Sequence, residues 1–191
     1  VQTPRDPGPV GANGNHLALV VTVSGQRWLV DVGLGSALHS PIPLMANEIR
    51  QGPFVYGLRP SDVEPGGWRL DHDPSADSFV GFDVAGEACS WEEATARHTE
   101  LSTSPDSPFV RAVAVQRRDA SGVDLLRWTW LVRIDESGWH ERVLSSADQL
   151  AEVCGEVFGL SLDGIPPQEW EALYAGQAAA YERARARRVA R

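Results

Sequence analysis

Between Asn15 and Gly35 the chain reads NHLALVVTVSGQRWLVDVGLG, two apolar runs on either side of Ser24-Gly25. Such runs, joined by a two-residue polar link, specify a β-hairpin with a tight turn. With Ser24 and Gly25 as the loop, Val23 pairs with Gln26 and paired residue numbers sum to 49, which sets His16 opposite Gly33. Asp31, two residues before Gly33, then shares a face with His16. Their backbones lie about 7 to 8 Å apart on the diagonal, within reach of a bond between the imidazole Nδ1 and the carboxylate. A register slip of one residue would send the two side chains to opposite faces.

This pairing has chemical content. An aspartate that holds one imidazole tautomer and stabilises the imidazolium leaves the other ring nitrogen to take a proton from a thiol or hydroxyl. His16 and Asp31 therefore form two members of a nucleophile, histidine and aspartate triad. On residue type alone, a strand-end histidine and a turn aspartate are the simpler account. The surroundings argue otherwise. Asp31 lies within WLVDVGLG, where an unpaired carboxylate would be costly, and Gly33 and Gly35 let another backbone or a ligand approach closely.

The same segments resemble the arylamine N-acetyltransferases. That family has a histidine heading a strand in an H-(L/M)-x-L-x-V context and an aspartate in D-(V/A)-G-F-G. Here the two are HLALVV from His16 and DVGLG from Asp31. STSPDSPF, from Ser102 to Phe109, matches a second family block. QLAEVCGEVFGLSL, from Gln149 to Leu162, matches a third, a Leu-rich helix ending in F-G-L/I-x-L. Three ordered blocks over about 150 residues are far more specific than any one of them.

The resemblance implies an α+β fold, with an antiparallel β-barrel domain over 1–88 and an interdomain helix, α/β lid and C-terminal helix over 89–191. It implies acetyl-CoA as cosubstrate, a small amine, hydrazine or hydroxylamine as acceptor, and no metal. His16 and Asp31 become catalytic residues, Gly33, Leu34 and Gly35 substrate contacts, and Thr103, Ser104 and Ser107 contacts to coenzyme A. Loop hydroxyls and amides satisfy phosphate and pantetheine oxygens without a basic pocket, although an ST-turn leading into a strand explains the same residues. Leu34 stands where the family usually has Phe, which leaves a wider, less stacking acceptor pocket. A related branch that forms macrocyclic amides on ansamycin polyketides is the alternative acceptor chemistry. A barrel that binds coenzyme A or a partner without catalysis is the alternative outside enzymology.

The family's nucleophile is a cysteine in R-G-G-x-C, a motif that does not occur here. The chain thus reads as the last two-thirds of a family member and is expected to be inactive alone. Cys154 falls among Leu150, Val153, Val157 and Phe158 at helical spacing, the mark of a buried structural thiol. Cys89 precedes Ser90-Trp91-Glu92-Glu93, a capping-box signal, and a thiol near a helix N-terminus gains acidity. Its separation from the histidine strand favours a structural or incidental role. Two cysteines without metal-ligand spacing or a disulfide framework fit a reducing, cytoplasmic setting.

Composition bounds the partners. With 42% apolar and 23% charged residues, the chain reads as one or two soluble globular domains. A net charge of −9 argues against nucleic acid, and neither a membrane-spanning run nor a secretory leader is visible. Residues 181–191 hold five arginines and one glutamate. That is the pattern of a solvated helix end favoured by its macrodipole, or of a patch for CoA phosphates.

Strands are expected at Leu17 to Val23, Arg27 to Val32, Pro53 to Arg59, Gly67 to Asp71, Phe79 to Val84, Phe109 to Arg117, Leu125 to Ile134 and Trp139 to Val143. Helices are expected from Ser90 to about Glu100, from Ser146 to Gly159 and from Pro167 onward. Gly11 to Asn15, GANGN, is a weaker cofactor-loop candidate.

Overall fold

A computed structural model describes residues 14–75 and 79–189. The architecture is α+β, with three antiparallel sheets and C-terminal helices. The first sheet holds β1 (Leu19–Val23), β2 (Gln26–Val30) and β3 (Ile42–Pro43) in that order. The second is a meander of β4 (Asn47–Gln51), β5 (Phe54–Pro60), β6 (Trp68–Asp71) and β7 (Gly81–Val84). After α1 (Trp91–Thr103) and α2 (Pro108–Arg111) comes a second meander, β8 (Ala114–Arg118), β9 (Gly122–Arg127), β10 (Trp130–Asp135) and β11 (Gly138–Val143). The chain then runs through α3 (Ala147–Glu156) and α4 (Pro167–Val189). Among the described residues no helix is long and apolar enough to cross a membrane.

The first hairpin has the expected register, Leu19 opposite Val30 and Val23 opposite Gln26. Ser24 and Gly25 both have positive φ, 50° and 79°, which matches the right-handed twist of the flanking strands. All five residues of β1 are nevertheless exposed, because β1 is the sheet's outer strand.

Two expected strands are corrected. The run Leu125 to Ile134 is broken by a two-residue turn at Trp128-Thr129, where Trp128 takes a φ of 58° and Arg127 pairs with Trp130. The guanidinium of Arg127 over the Trp128 ring and the Trp128 N–H donated to the Val113 carbonyl hold a turn that has no glycine or asparagine. Phe109 to Arg117 begins as a helical turn, not a strand. Ser107 caps it by accepting from the Phe109 N–H, Pro108 occupies its first turn, and β8 starts only at Ala114.

The core forms two clusters, and the second meander stands between them. Val123, Leu125, Val132 and Ile134 join Leu29, Tyr56, Leu58, Leu70 and Phe82 in the larger cluster, which draws on both sides of residue 89. Leu126 and Leu131 turn to the other face and pack with Leu144, Leu150, Val153 and Cys154, against Trp170 and Tyr174 of α4. Alternation along β9 and β10 thus ties the strands that carry the hairpin to the C-terminal helices.

The β8–β9 turn is held by Asp119. Its Oδ1 accepts from the N–H groups of Ser121 and Gly122 at 2.7 and 2.9 Å, and its Oδ2 accepts from Arg133 Nη1 at 2.9 Å. The Arg133 guanidinium, with these N–H donors, holds the carboxyl well below the usual carboxylate range. A depressed folded-state value contributes stability above the unfolded value near 3.9, and that contribution is lost as pH falls through the folded value. At pH 7, Asp119→Asn should lower stability by about 1 kcal/mol, since the side chain is half exposed. Urea midpoints should show the gap from wild type narrowing at pH 3, and a gap that widened in acid would contradict the assignment.

Candidate active site

His16 and Asp31 meet as the hairpin requires. His16 lies three residues before the ladder of β1 and Asp31 one residue after β2. The His16 Nε2 donates to Asp31 Oδ2 at 2.8 Å, with the Asp31 side chain fully buried and that of His16 12% exposed. The expected atom was Nδ1. Spanning a diagonal takes the far end of the ring, because Nδ1 sits too close to the His16 backbone to reach across. A carboxylate accepts only, so Nε2 carries the proton in this pair, and in the neutral ring Nδ1 holds the lone pair. Nδ1 makes no hydrogen bond among the described residues.

Asp31 is saturated. Its second oxygen, Oδ1, accepts from the N–H groups of Gly33 and Leu34 at 3.0 and 3.1 Å. Three donors around a buried carboxylate offset its desolvation and fix the ring they hold. The edge of Phe82, on β7, meets the His16 ring with centroids 5.1 Å apart at 69°.

His16 opens onto a cavity of about 500 Å³ between the β1 arm and the end of β7. Arg27, Trp68, Phe82, Asp83 and the stretch 84–89 contribute to its wall. Gly14 and Asn15 line it as well, while Gly11, Ala12 and Asn13 of the GANGN candidate lie outside the described residues. Cys89 also lines this cavity. Its distance from His16 along the chain does not carry into space, because β7 pairs into the sheet beside the hairpin arm and delivers the segment after Val84 to the same concavity. Sequence reasoning passed over Phe82 and Trp68. Both sit in strands that it recognised, but which strand packs beside His16 is a long-range fact without a local signal.

The other expected contacts sit elsewhere. Gly33, Leu34 and Gly35 are not in the cavity wall. Gly33 and Leu34 give their N–H groups to Asp31, and the Leu34 side chain packs against the larger core cluster. Gly35 permits a close backbone approach, since a Cβ there would lie 2.6 Å from the Gln116 carbonyl oxygen of β8. In the STSPDSPF segment, Thr103 Oγ1 donates to the Thr99 carbonyl inside α1, and Ser104 is the C-cap of that helix. The buried Ser107 donates to the Leu101 carbonyl while capping α2. These hydroxyls make local bonds, away from the His16 cavity. Among the described residues no group of three His, Cys, Asp or Glu side chains is placed to hold a metal ion.

The two thiols differ in access. Cys89 is exposed, whereas Cys154 is buried in the smaller core cluster and burial pushes its thiol up from the ordinary value. A thiol reagent at pH 8 should titrate one cysteine of the native chain within minutes and the second only on unfolding. Equal rates for both would contradict this packing.

Comparison with known proteins agrees with the geometry. The N-acetyltransferase family profile matches residues 2–166. No match is found among curated protein sequences. Among solved structures, the Mycobacterium smegmatis arylamine N-acetyltransferase is 26% identical with a TM-score of 0.76, aligned over 92% of this chain and 64% of that one. The Mycobacterium abscessus arylamine N-acetyltransferase is 25% identical with a TM-score of 0.70, over 84% of this chain and 58% of that one. The Mycobacterium marinum enzyme, solved in complex with CoA, shares the fold at 21% identity and a TM-score of 0.74, over 91% of this chain and 63% of that one. The chain thus spans about three fifths of the length of these structures. With the family profile covering most of its length, the chain belongs to the N-acetyltransferase family and has the fold of the arylamine N-acetyltransferases.

Proposed function

We propose that this chain supplies the histidine and aspartate of an acyltransferase that moves an acetyl group from acetyl-CoA to an arylamine, hydrazine or hydroxylamine by way of a cysteine thioester. The observation that carries this reading is the 2.8 Å bond from His16 Nε2 to a fully buried Asp31, with Nδ1 unbonded among the described residues and His16 lining a cavity. In this reading, Nδ1 takes the thiol proton and the thiolate attacks the thioester carbonyl. The C–S bond to coenzyme A breaks and the CoA thiolate receives the proton from Nδ1. The acceptor nitrogen then attacks the cysteine thioester, Nδ1 takes its proton, and the cysteine leaves as a thiolate. Asp31 keeps the imidazolium favourable at each stage.

We assign the nucleophilic thiol to residues beyond these 191. Cys154 is buried in a core, and the similar solved structures extend well past the region this chain spans. The apolar side chains of Leu17, Leu19, Val21 and Val23, all exposed along the hairpin arm, form the kind of face on which a further segment seats. Residues 1–88 act as the barrel and 89–191 as the lid in this assignment, with one core shared between them. Thr103, Ser104 and Ser107 are assigned to coenzyme A through their loop, and the free thiols suit a cytoplasmic location.

In the full-length protein, His16→Ala and Asp31→Asn should each abolish acyl-cysteine formation from acetyl-CoA, read by intact-protein mass spectrometry, with the fold retained. Acylation at the normal rate in both variants would remove the assignment. The 191-residue chain alone should not turn over acetyl-CoA with any arylamine, and Cys89→Ser should leave full-length turnover unchanged. Turnover that vanished with Cys89→Ser would transfer the nucleophile to that residue.

Leu34 tests the acceptor side. Leu34 packs against the larger core cluster and outside the His16 cavity wall, so its acceptor role requires that it reach an acceptor bound in the full-length protein, where an aromatic face contributes about 0.5 to 1.5 kcal/mol to a planar partner. Leu34→Phe should therefore raise kcat/KM for simple arylamines roughly 2- to 13-fold. Steady-state kinetics without any gain would withdraw Leu34 from the acceptor site and leave His16 and Asp31 in place.

A further inference from the structure

Gly33 is exposed, and its φ lies outside the left-handed region that demands glycine. Conformation and burial therefore both allow a side chain here. Space is tight. A Cβ at Gly33 would lie 3.2 Å from Cε1 and 3.7 Å from Nδ1 of His16, with the Leu17 carbonyl oxygen, at 3.7 Å, the third of its nearest atoms. The nearest side chain that a residue at 33 would meet is thus the imidazole, on the edge that carries the unbonded nitrogen.

The imidazole has nowhere easy to retreat. Its Nε2 end is tied to the buried Asp31 at 2.8 Å, and Phe82, itself only 2% exposed, presses on it from β7. Gly33 also donates its N–H to Asp31 Oδ1, so the residue that leaves room for the ring also fixes the carboxylate that holds it. His16 lies three residues before the hydrogen-bonded ladder of β1, so the hairpin register brings it to Asp31 and these side-chain contacts fix its ring.

We propose that Gly33 is a positioning residue: the bare Cα at 33 seats the Cε1–Nδ1 edge of His16 and keeps Nδ1 accessible to the thiol. The consequence for acyl transfer rests on the proposed reading of His16, but the seating itself does not. A methyl group at 33 displaces the ring by a few tenths of an ångström and covers part of Nδ1. Proton transfer depends steeply on such distances, and a misplacement of about 1 Å can cost about 100-fold. The smaller shift should lower the rate of acyl-cysteine formation roughly 10-fold.

Two measurements test this. The first is a double-mutant cycle in urea on the 191-residue chain with Gly33→Ala and His16→Ala. Gly33→Ala should lower the unfolding midpoint when His16 is present and leave it unchanged or raised when His16 is Ala, since the clash is then gone. Equal effects in the two backgrounds would overturn the proposal, whatever the chain's activity. The second is acyl transfer by the full-length protein. Gly33→Ala should lower kcat about 10-fold with KM for the acceptor unchanged, and Gly33→Ser should not restore it. If His16→Ala abolishes transfer while Gly33→Ala leaves kcat intact, the positioning role is wrong. If His16→Ala leaves transfer intact, the reading of the site fails, and the double-mutant cycle alone decides the seating of the ring.

Discussion

A carboxylate sealed inside an apolar hairpin is the constraint around which this site is built. Asp31 has no exposed side-chain surface, and an ionised group in that position persists only when donors replace the water it has lost. Three donors do so: the Gly33 and Leu34 N–H groups on one oxygen and the His16 Nε2 on the other. Each follows from the fold of a short stretch. The two N–H groups come from the chain turning back over Asp31 just beyond β2, and the imidazole comes from the register of the hairpin. A protein that buries Asp31 in this way commits His16 to one place and one tautomer.

The surrounding sheets keep that commitment. Leu29 of β2 is fully buried in the larger core cluster, which anchors the strand leading to Asp31. Gly35 lets β8 approach within contact of the turn at the Gln116 carbonyl, so the second meander closes directly behind the DVGLG segment. On the other side, β7 brings Phe82 to the imidazole. The outer strand β1, by contrast, gives its apolar side chains to solvent. Its histidine end is held by the site, whereas the rest of its face is uncovered among the described residues. Rigid support on one side of His16 and an open cavity on the other is the arrangement that proton transfer to an incoming group requires.

Much of this was legible in the residues because it is local. A two-residue loop between apolar runs leaves one register, and that register alone put His16 and Asp31 on one face. The choice of Nε2 over Nδ1 was not legible, since it depends on how far a ring must reach across a diagonal. The turn at Trp128-Thr129 carries no glycine or asparagine, and it forms because the Val113 carbonyl and the Arg127 guanidinium complete it from outside the local sequence. Strands β3 and β4 are short or polar, IP and NEIRQ, and lack the apolar alternation that reveals a strand. Cys89 and Phe82 reach the His16 cavity through sheet pairing, which no spacing rule reports. The hydroxyls of STSPDSPF read equally as ligand contacts or as local turn bonds; here the Ser107 hydroxyl caps α2, that of Thr103 bonds back into α1, and Ser104 ends α1 through its backbone N–H.

The central claim is that the neutral His16 ring has its proton on Nε2, in the bond to Asp31, and leaves Nδ1 bare beside a cavity that His16 lines. Long-range proton–nitrogen correlation of the His16 ring, recorded on nitrogen-labelled chain near neutral pH and assigned through His16→Gln, reads this directly. The account predicts, for the neutral ring, a protonated Nε2 with a proton signal that moves on Asp31→Asn, beside an unprotonated Nδ1. A ring with its proton on Nδ1, or with nitrogen signals indifferent to Asp31→Asn, would contradict it.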